Sequence, residues 1–329
     1  MWGMNMSLSD DAIHFPKSLS ESDPEALFRF CASLNAGTDN VTLDASELCF
    51  IDPLGLAVLR ATLECQPVGR TFHVRFMPKD MIKYFVRMDF FQGLSVEGVD
   101  VESGRNPEGE PDSCVELQRV VDGQSEAIAS RLVQAMIGQT AENADPLMEA
   151  CRRPIEYSLK ELLENALSHA RKEGNFGSSV WVACQHFRSN GVVRLAIVDN
   201  GCGFLATLKR HPELAEQTDC AAIQAALKER VSCNRGPLVG YETDSQNQGV
   251  GLTTTAKIAG AAGGFLVVAS GDAWLRTDFG HDQSSSLIEC PWKGVAISFH
   301  CNRDQLPQVD IPSLLPAVED DVGDEINFD

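Results

Sequence analysis

The sequence predicts an α/β protein made of two units joined by a short linker. Three observations carry this. Short β-branched runs alternate with helical periodicity through residues 1–102. Residues 103–113, SGRNPEGEPDS, concentrate Gly, Pro, Ser and charge, as linkers do. Beyond them, apolar runs of strand length surround long helical patterns. A chain of 329 residues has room for two cores, and its 43% hydrophobic content is enough to pack them.

The elements follow in order. AIHF (12–15) and VTLDAS (41–46) have strand composition. Residues 23–34, DPEALFRFCASL, open on Asp and Pro, the residues that cap and start a helix. Residues 53–65 predict a second helix, 70–77 a strand and 79–91 a third helix. In the second unit, 114–302, CVELQRVV predicts a strand, and 124–138 and 146–172 predict helices. Residues 179–187, 192–200, 264–270 and 294–301 are β-rich. The segment 205–248 is mixed and polar, and a loop that long inside a domain is usually functional. The final stretch 303–329 ends in EDDVGDEINFD, six of whose eleven residues are acidic, so it is expected to be a solvated tail.

The formal charge is −20, from 27 basic and 47 acidic residues. Such a surface repels phosphate backbones and anionic lipids, which argues against nucleic-acid and membrane partners. The eleven cysteines form no CxxC pair and no Cys/His cluster, and Cys49, Cys65, Cys184 and Cys290 lie in or beside apolar runs. That usage fits a reducing compartment and neither a disulfide framework nor a zinc site. The first residues, MWGMNMSLSDDAIHF, lack the basic and apolar regions of a signal peptide, and no apolar run has membrane-spanning length. A cytoplasmic protein is expected.

Three motifs carry chemistry. In ELLENALSHA (161–170) the residues Leu159, Leu162, Leu163, Ala166, Leu167 and Ala170 form one apolar arc, and Glu161, Asn165 and His169 line its edge. Asn is a poor helix former, so a mid-helix Asn has a reason to be there. Its amide oxygen suits Mg²⁺, and a carboxylate one turn earlier suits a general base. The same pattern also describes a solvated face. In LAIVDNGCGF (195–204) a β-run ends at Asp199, followed by Gly201 and Gly203, which permit close backbone approach. Asp199 can accept from an exocyclic amine such as that of adenine, although D-N-G is also turn chemistry. In NQGVGLTTTAKIAGAAGG (247–264) Gly249 and Gly251 open a helix whose free N–H groups and dipole favour phosphate, with Thr253 and Thr254 as hydroxyl donors. A plain glycine cap reads the same way.

Together, and in this order, the three motifs resemble the ATP-binding domain of the GHKL superfamily, which takes in gyrase, heat-shock chaperones, histidine kinases and anti-sigma serine kinases. Glu161-x-x-x-Asn165 matches its Asn box, Asp199-x-Gly201-x-Gly203 its first glycine box, and Gly249-x-Gly251-Leu252 its second. The resemblance covers about 113–302, and ENALSHA is closest to the anti-sigma serine kinases and some histidine kinases. It implies a Bergerat-type α/β sandwich, with helices on one face of a mixed sheet and a mobile lid at 205–248. It further implies ATP and Mg²⁺ as cofactors. Asp199 would bind the adenine amine and Asn165 the metal. Gly201, Gly203, Gly249, Gly251, Leu252 and Thr253 would lie against the nucleotide, and Glu161 would be the base. Lys209, Arg230 and Arg235 are the lid's possible phosphate partners. The family often opens a late strand with Gly-Thr; here Gly294-Val295 stands there without a hydroxyl.

The first unit, in VTLDASELCFIDPLGLAVL and IKYFVRMDFF, resembles the STAS domain of anti-sigma antagonists. Antagonists carry a phosphorylatable Ser or Thr just before the helix glycine; Leu54 stands there before Gly55, with Asp52 as cap and Pro53 at the first helical position. This unit is therefore expected to be a binding surface rather than a phosphate acceptor. The combined reading is a fused regulatory ATP-binding protein with ATP-dependent partner switching or phosphotransfer to a protein. Expected partners are proteins of STAS or sigma/anti-sigma type, with a homodimer also open. The alternatives are a non-catalytic nucleotide-sensing scaffold and a GHKL ATPase; the ATPases carry a transducer domain, whereas only 303–329 follows here. A histidine kinase would need an acceptor-His helix pair, and 124–172 contains His169 alone.

Overall fold

Two helices of the first half begin where side-chain caps stand. The computed structural model describes residues 12–35, 40–104, 113–138, 146–171, 175, 177–212, 214–228, 251–278 and 282–314. In chain order the first half runs β1 (Ile13–His14), β2 (Ser18–Leu19), α1 (Pro24–Ser33), β3 (Asn40–Asp44), β4 (Phe50–Ile51), α2 (Pro53–Glu64), β5 (Thr71–Arg75), α3 (Lys79–Arg87), β6 (Val96–Glu97) and α4 (Val101–Gly104). Asp23 accepts from the Ala26 N–H at 3.0 Å, and Asp52 from the Gly55 N–H at 2.9 Å, each with proline at the first helical position. Helix α3 stops short of residue 91 because Asp89 turns left-handed (φ 54°) and tucks Phe90 into the core. Strands β1, β3, β5 and β6 pair in parallel in the order β1-β3-β5-β6, and β2 pairs with β4.

The second half runs β7 (Cys114–Val120), α5 (Ser125–Ile137), α6 (Pro146–Ala170), β8 (Val180–Phe187), β9 (Val192–Asp199), α7 (Gly203–Leu208), α8 (Asp219–Ala226), α9 (Gly251–Ala261), β10 (Phe265–Gly271), β11 (Ala273–Arg276), β12 (Gln283–Ser286) and β13 (Trp292–Asn302). A 3-10 turn (Arg303–Gln308) and α10 (Ile311–Leu314) follow. The molecule is thus α/β, with one parallel and one antiparallel sheet as its main layers.

Three expectations change. The sheet of the second half is not mixed: its strands lie in the order β12-β11-β10-β13-β9-β8-β7, and every pairing is antiparallel. Strands β9 and β10 do run in the same direction, as a helical crossover demands, but β13 returns between them and pairs with both. Nor is the described part of 205–248 an irregular loop, because α7 and α8 occupy much of it; residues 229–250 lie outside the described residues. The folded chain also continues past 302, with Leu306 and Ile311 fully buried beside α6 and α9. The linker's central part, 105–112, and residues 315–329 lie outside the described residues.

Both faces of the antiparallel sheet are covered, and the alternation along its strands assigns each face. On one side Val180, Val182, Val193, Leu195, Ile197, Ile297 and Phe299 pack under α5, α6 and α9. On the other side Trp181, Ala183, Ala196, Val198, Ala269 and Ala296 share a core with the first half. Four of those six are alanines, so α2 lies close against β8 and β9, buried from Pro53 to Thr62. The Arg60 guanidinium stacks over Trp181 at 4.6 Å.

A buried ionic cluster closes this contact. Glu21 and Asp52 of the first half have fully buried side chains. Arg194 of β9 reaches Glu21 Oε1 with Nε at 2.9 Å and Asp52 Oδ2 with Nη1 at 3.1 Å. His300 Nδ1 of β13 lies 2.6 Å from Glu21 Oε1, and the Ser298 hydroxyl donates to Glu21 Oε2 at 2.5 Å. Burial and the neighbouring Glu21 carboxylate push Asp52 above the ordinary carboxylate range, against the pull of its backbone donors and Arg194. No helix among the described residues is long and apolar enough to cross a membrane.

Candidate functional site

A cleft opens on the helix-covered face of the sheet. Its walls come from parts of the chain far apart in sequence. Helix α6 contributes Leu162, Asn165, Ala166 and His169, and β9 contributes Ile197 and Asp199. Helix α9 brings Leu252, and β13 brings Val295 and Ile297. The remaining wall, Phe204, Thr207, Leu208 and Ala226, comes from α7 and α8. A mostly apolar pocket with a few converging polar groups is the usual form of a small-molecule site.

Glycines let these pieces meet. A Cβ on Gly201 would come 2.8 Å from the Ala170 carbonyl carbon and closer still to its Cα, so the turn after β9 can rest against the end of α6 only without a side chain. A Cβ on Gly294 would meet Asp199 Oδ1 at 2.6 Å and its carbonyl oxygen closer still, so β13 can close on β9 only through glycine. Gly203 opens α7 with φ 77° against the Ser270 hydroxyl. Gly251 starts α9 beside α6, where a Cβ would lie 3.2 Å from the Leu162 nitrogen and 3.3 Å from Glu161 Cβ. The first turn of α9 carries no acidic side chain to oppose an anion.

Asp199 is 3% exposed at the floor of the cleft. Its Oδ1 accepts the Gly201 N–H at 2.8 Å, and the Val295 N–H also bonds to the carboxylate. Desolvation outweighs both bonds and raises the group to about 7. A buried carboxylate so placed gains from any ligand that presents an N–H donor to it.

Asn165 Oδ1 is buried without a hydrogen-bond partner among the described residues, and so is Glu161 Oε2 one turn earlier. The other carboxylate oxygen of Glu161 accepts the Tyr157 hydroxyl at 2.6 Å. Burial raises Glu161, opposed by that hydrogen bond. Unpaired buried oxygens are costly, which is how sites for cations and hydroxyl donors present themselves before a ligand is bound.

The structure brings Asn165, Asp199, Leu252 and His169 to one cleft. Glu161 lies one helical turn from Asn165, next to the start of α9 rather than in the cleft wall. Thr253 is directed elsewhere: its hydroxyl donates to the Leu227 and Lys228 carbonyls at 3.0 and 3.1 Å and fastens the end of α8 to α9. Thr254 is buried, and Lys209 follows α7 on the exposed surface. Gly249, Arg230 and Arg235 lie outside the described residues. Sequence reasoning missed Phe204, Thr207 and Leu208. The signal was GFLATL, which begins at the second glycine of the motif with helical spacing. It also missed Tyr157, which stands one turn before Glu161 on the same helix face.

No family model matches the chain, and no curated protein or solved structure matches it either.

Proposed function

We propose that the cleft binds ATP with Mg²⁺, and that the chain is a regulatory protein of GHKL type with a STAS-like unit docked on the back of a Bergerat-type sheet. The observation that carries this is the meeting of Asp199, Asn165 and Leu252, from three separate motifs, in one pocket. Asp199 accepts the exocyclic amine of adenine, Ile197, Phe204, Ile297 and Val295 enclose the ring, and the α9 N-terminus faces the phosphates. The unpaired Asn165 oxygen fits the cation. Mg²⁺ held there would supply neutralisation of phosphate charge. Glu161 Oε2, steadied through its partner oxygen by Tyr157, would take the proton from a Ser, Thr or water hydroxyl as that oxygen bonds the γ-phosphorus and the bond to ADP breaks. The acceptor is a protein partner, because Leu54 occupies the position before Gly55 and offers no hydroxyl in cis.

Thermal denaturation tests the binding. ATP with Mg²⁺ is expected to raise the midpoint, by linkage to the native state, and no shift at saturating nucleotide overturns the reading. Asn165→Ala is expected to bind ATP with an affinity that no longer responds to Mg²⁺; calorimetric titrations with and without the metal check this. Glu161→Gln is expected to leave affinity unchanged and lower phosphate release or transfer by about 10²-fold or more.

A second reading, nucleotide sensing without turnover, draws support from Val295 in the cleft wall, where a hydroxyl would help to hold adenine, and from the placement of Glu161 outside that wall. The two readings part on single-turnover measurement: phosphate release that Glu161→Gln abolishes excludes the sensor.

A further inference from the structure

The strand that carries Asp199 into the cleft is gripped on its opposite face by the first half of the chain. Along β9, Val193, Leu195 and Ile197 face the helices, while Arg194, Ala196 and Val198 face α2. Helix α2 spans the strand from cap to cap. Its N-cap Asp52 pairs with Arg194, and its C-cap Cys65 accepts the Asn200 Nδ2–H at 3.1 Å. Asn200 Oδ1 in turn takes the Ser179 N–H at 2.8 Å, and the Ser179 hydroxyl bonds Glu64, the last residue of α2. On the other side of the acceptor, the Trp292 indole N–H donates to the Asp199 carbonyl at 3.1 Å. The Trp292 ring packs on Phe28 of α1 with centroids 5.7 Å apart. The backbone that follows Asp199, its own carbonyl and Asn200, is thus fixed by groups that themselves rest on the first half.

We propose that Asn200 and Trp292 are positioning residues for Asp199, and that through them docking of the first half and nucleotide occupancy of the cleft are coupled. This rests on the nucleotide reading above and adds the regulation of that site. Ala183 and Ala196 bring α2 close against β8 and β9 in a packed core, so a displacement of β9 moves α2 with it. Ligand contact at Asp199 and packing at Cys65 and Phe28 then bias one arrangement of the same strand. Linkage is reciprocal: what tightens the interface tightens the site by the same factor.

The full-length chain provides its own reporter. Cys65 and Cys49 are both exposed, Cys65 bonded to Asn200 and Cys49 just before β4, at the other end of α2. Alkylation by iodoacetamide, followed residue by residue by mass spectrometry, is expected to slow at Cys65 by about fivefold or more when ATP and Mg²⁺ are added, with Cys49 unchanged. Trp292→Phe keeps a ring against Phe28 and loses the N–H; it is expected to raise the Kd for ATP by a similar factor and to lose the Cys65 protection. Asn200→Ala is the second variant should Trp292→Phe fold poorly. A role confined to stability would lower Tm and leave both Kd and nucleotide-dependent labelling as in the wild type. Binding of ATP by calorimetry, with unchanged Cys65 labelling and wild-type affinity in both variants, overturns the coupling alone. No ATP binding by the wild-type chain overturns the nucleotide reading and the coupling with it.

Discussion

Arg194→Met is expected to lower the stability of the chain by about 3–5 kcal/mol, read as a fall in the urea midpoint at unchanged slope. The size follows from what the substitution leaves behind. Glu21 and Asp52 are fully buried, and Arg194 is the cation that touches both. Without it, two carboxylates share an apolar interface with the His300 ring and the Ser298 hydroxyl as their remaining side-chain donors. Breaking a buried pair strands charge, whereas replacing the whole set does not. The triple variant Glu21→Gln, Asp52→Asn, Arg194→Met is therefore expected to recover most of the loss. A single variant as stable as wild type would mean that water reaches the cluster and that the first half is loosely docked.

Asp199→Asn is expected to weaken ATP binding by about 10- to 100-fold, about 1.4–2.8 kcal/mol. Its pH behaviour gives a sharper signature than its size. Burial raises the Asp199 carboxyl from 3.8 to about 7, so the native chain holds this proton more tightly than the unfolded chain does. Stability from this group is accordingly full below 3.8 and falls as pH rises from 3.8 to about 7. A ligand that donates an N–H to the carboxylate reverses that trend. Affinity for ATP is expected to strengthen as pH rises through about 7, and Asp199→Asn is expected to flatten the profile. Calorimetric titrations on either side of that pH check both statements, and an affinity that falls with pH would remove Asp199 as acceptor.

Much of this architecture is legible in the sequence where local rules decide it. Asp23-Pro24 and Asp52-Pro53 start helices where they stand, and the arc of Leu159, Leu162, Leu163 and Leu167 buries one side of α6. The strands of the second half alternate as their apolar residues do. What is not legible depends on partners distant in sequence. No local pattern in β13 says that it inserts between β9 and β10 and makes the sheet antiparallel throughout. Glu21 lies in a polar stretch that reads as surface, and only Arg194, His300 and Ser298 from the second half give its burial a reason. The candidate site divides in the same way. The glycine spacing marks Gly201, Gly203 and Gly251, while the close approaches that require two of them, of Ala170 to Gly201 and of Leu162 to Gly251, belong to the tertiary structure. Thr253 shows the limit: a hydroxyl in the first turn of a helix suits a phosphate, and here it ties down the end of α8 instead.

Helix α2 is covered on every side from Pro53 to Thr62 and carries only one charged residue, Arg60, in that span. A helix so enclosed cannot act as a detachable module. Either half prepared alone would bare the alanine-faced sheet or the apolar flank of α2 to water and is expected to aggregate, so trimming experiments meant to isolate one half would start from the wrong unit.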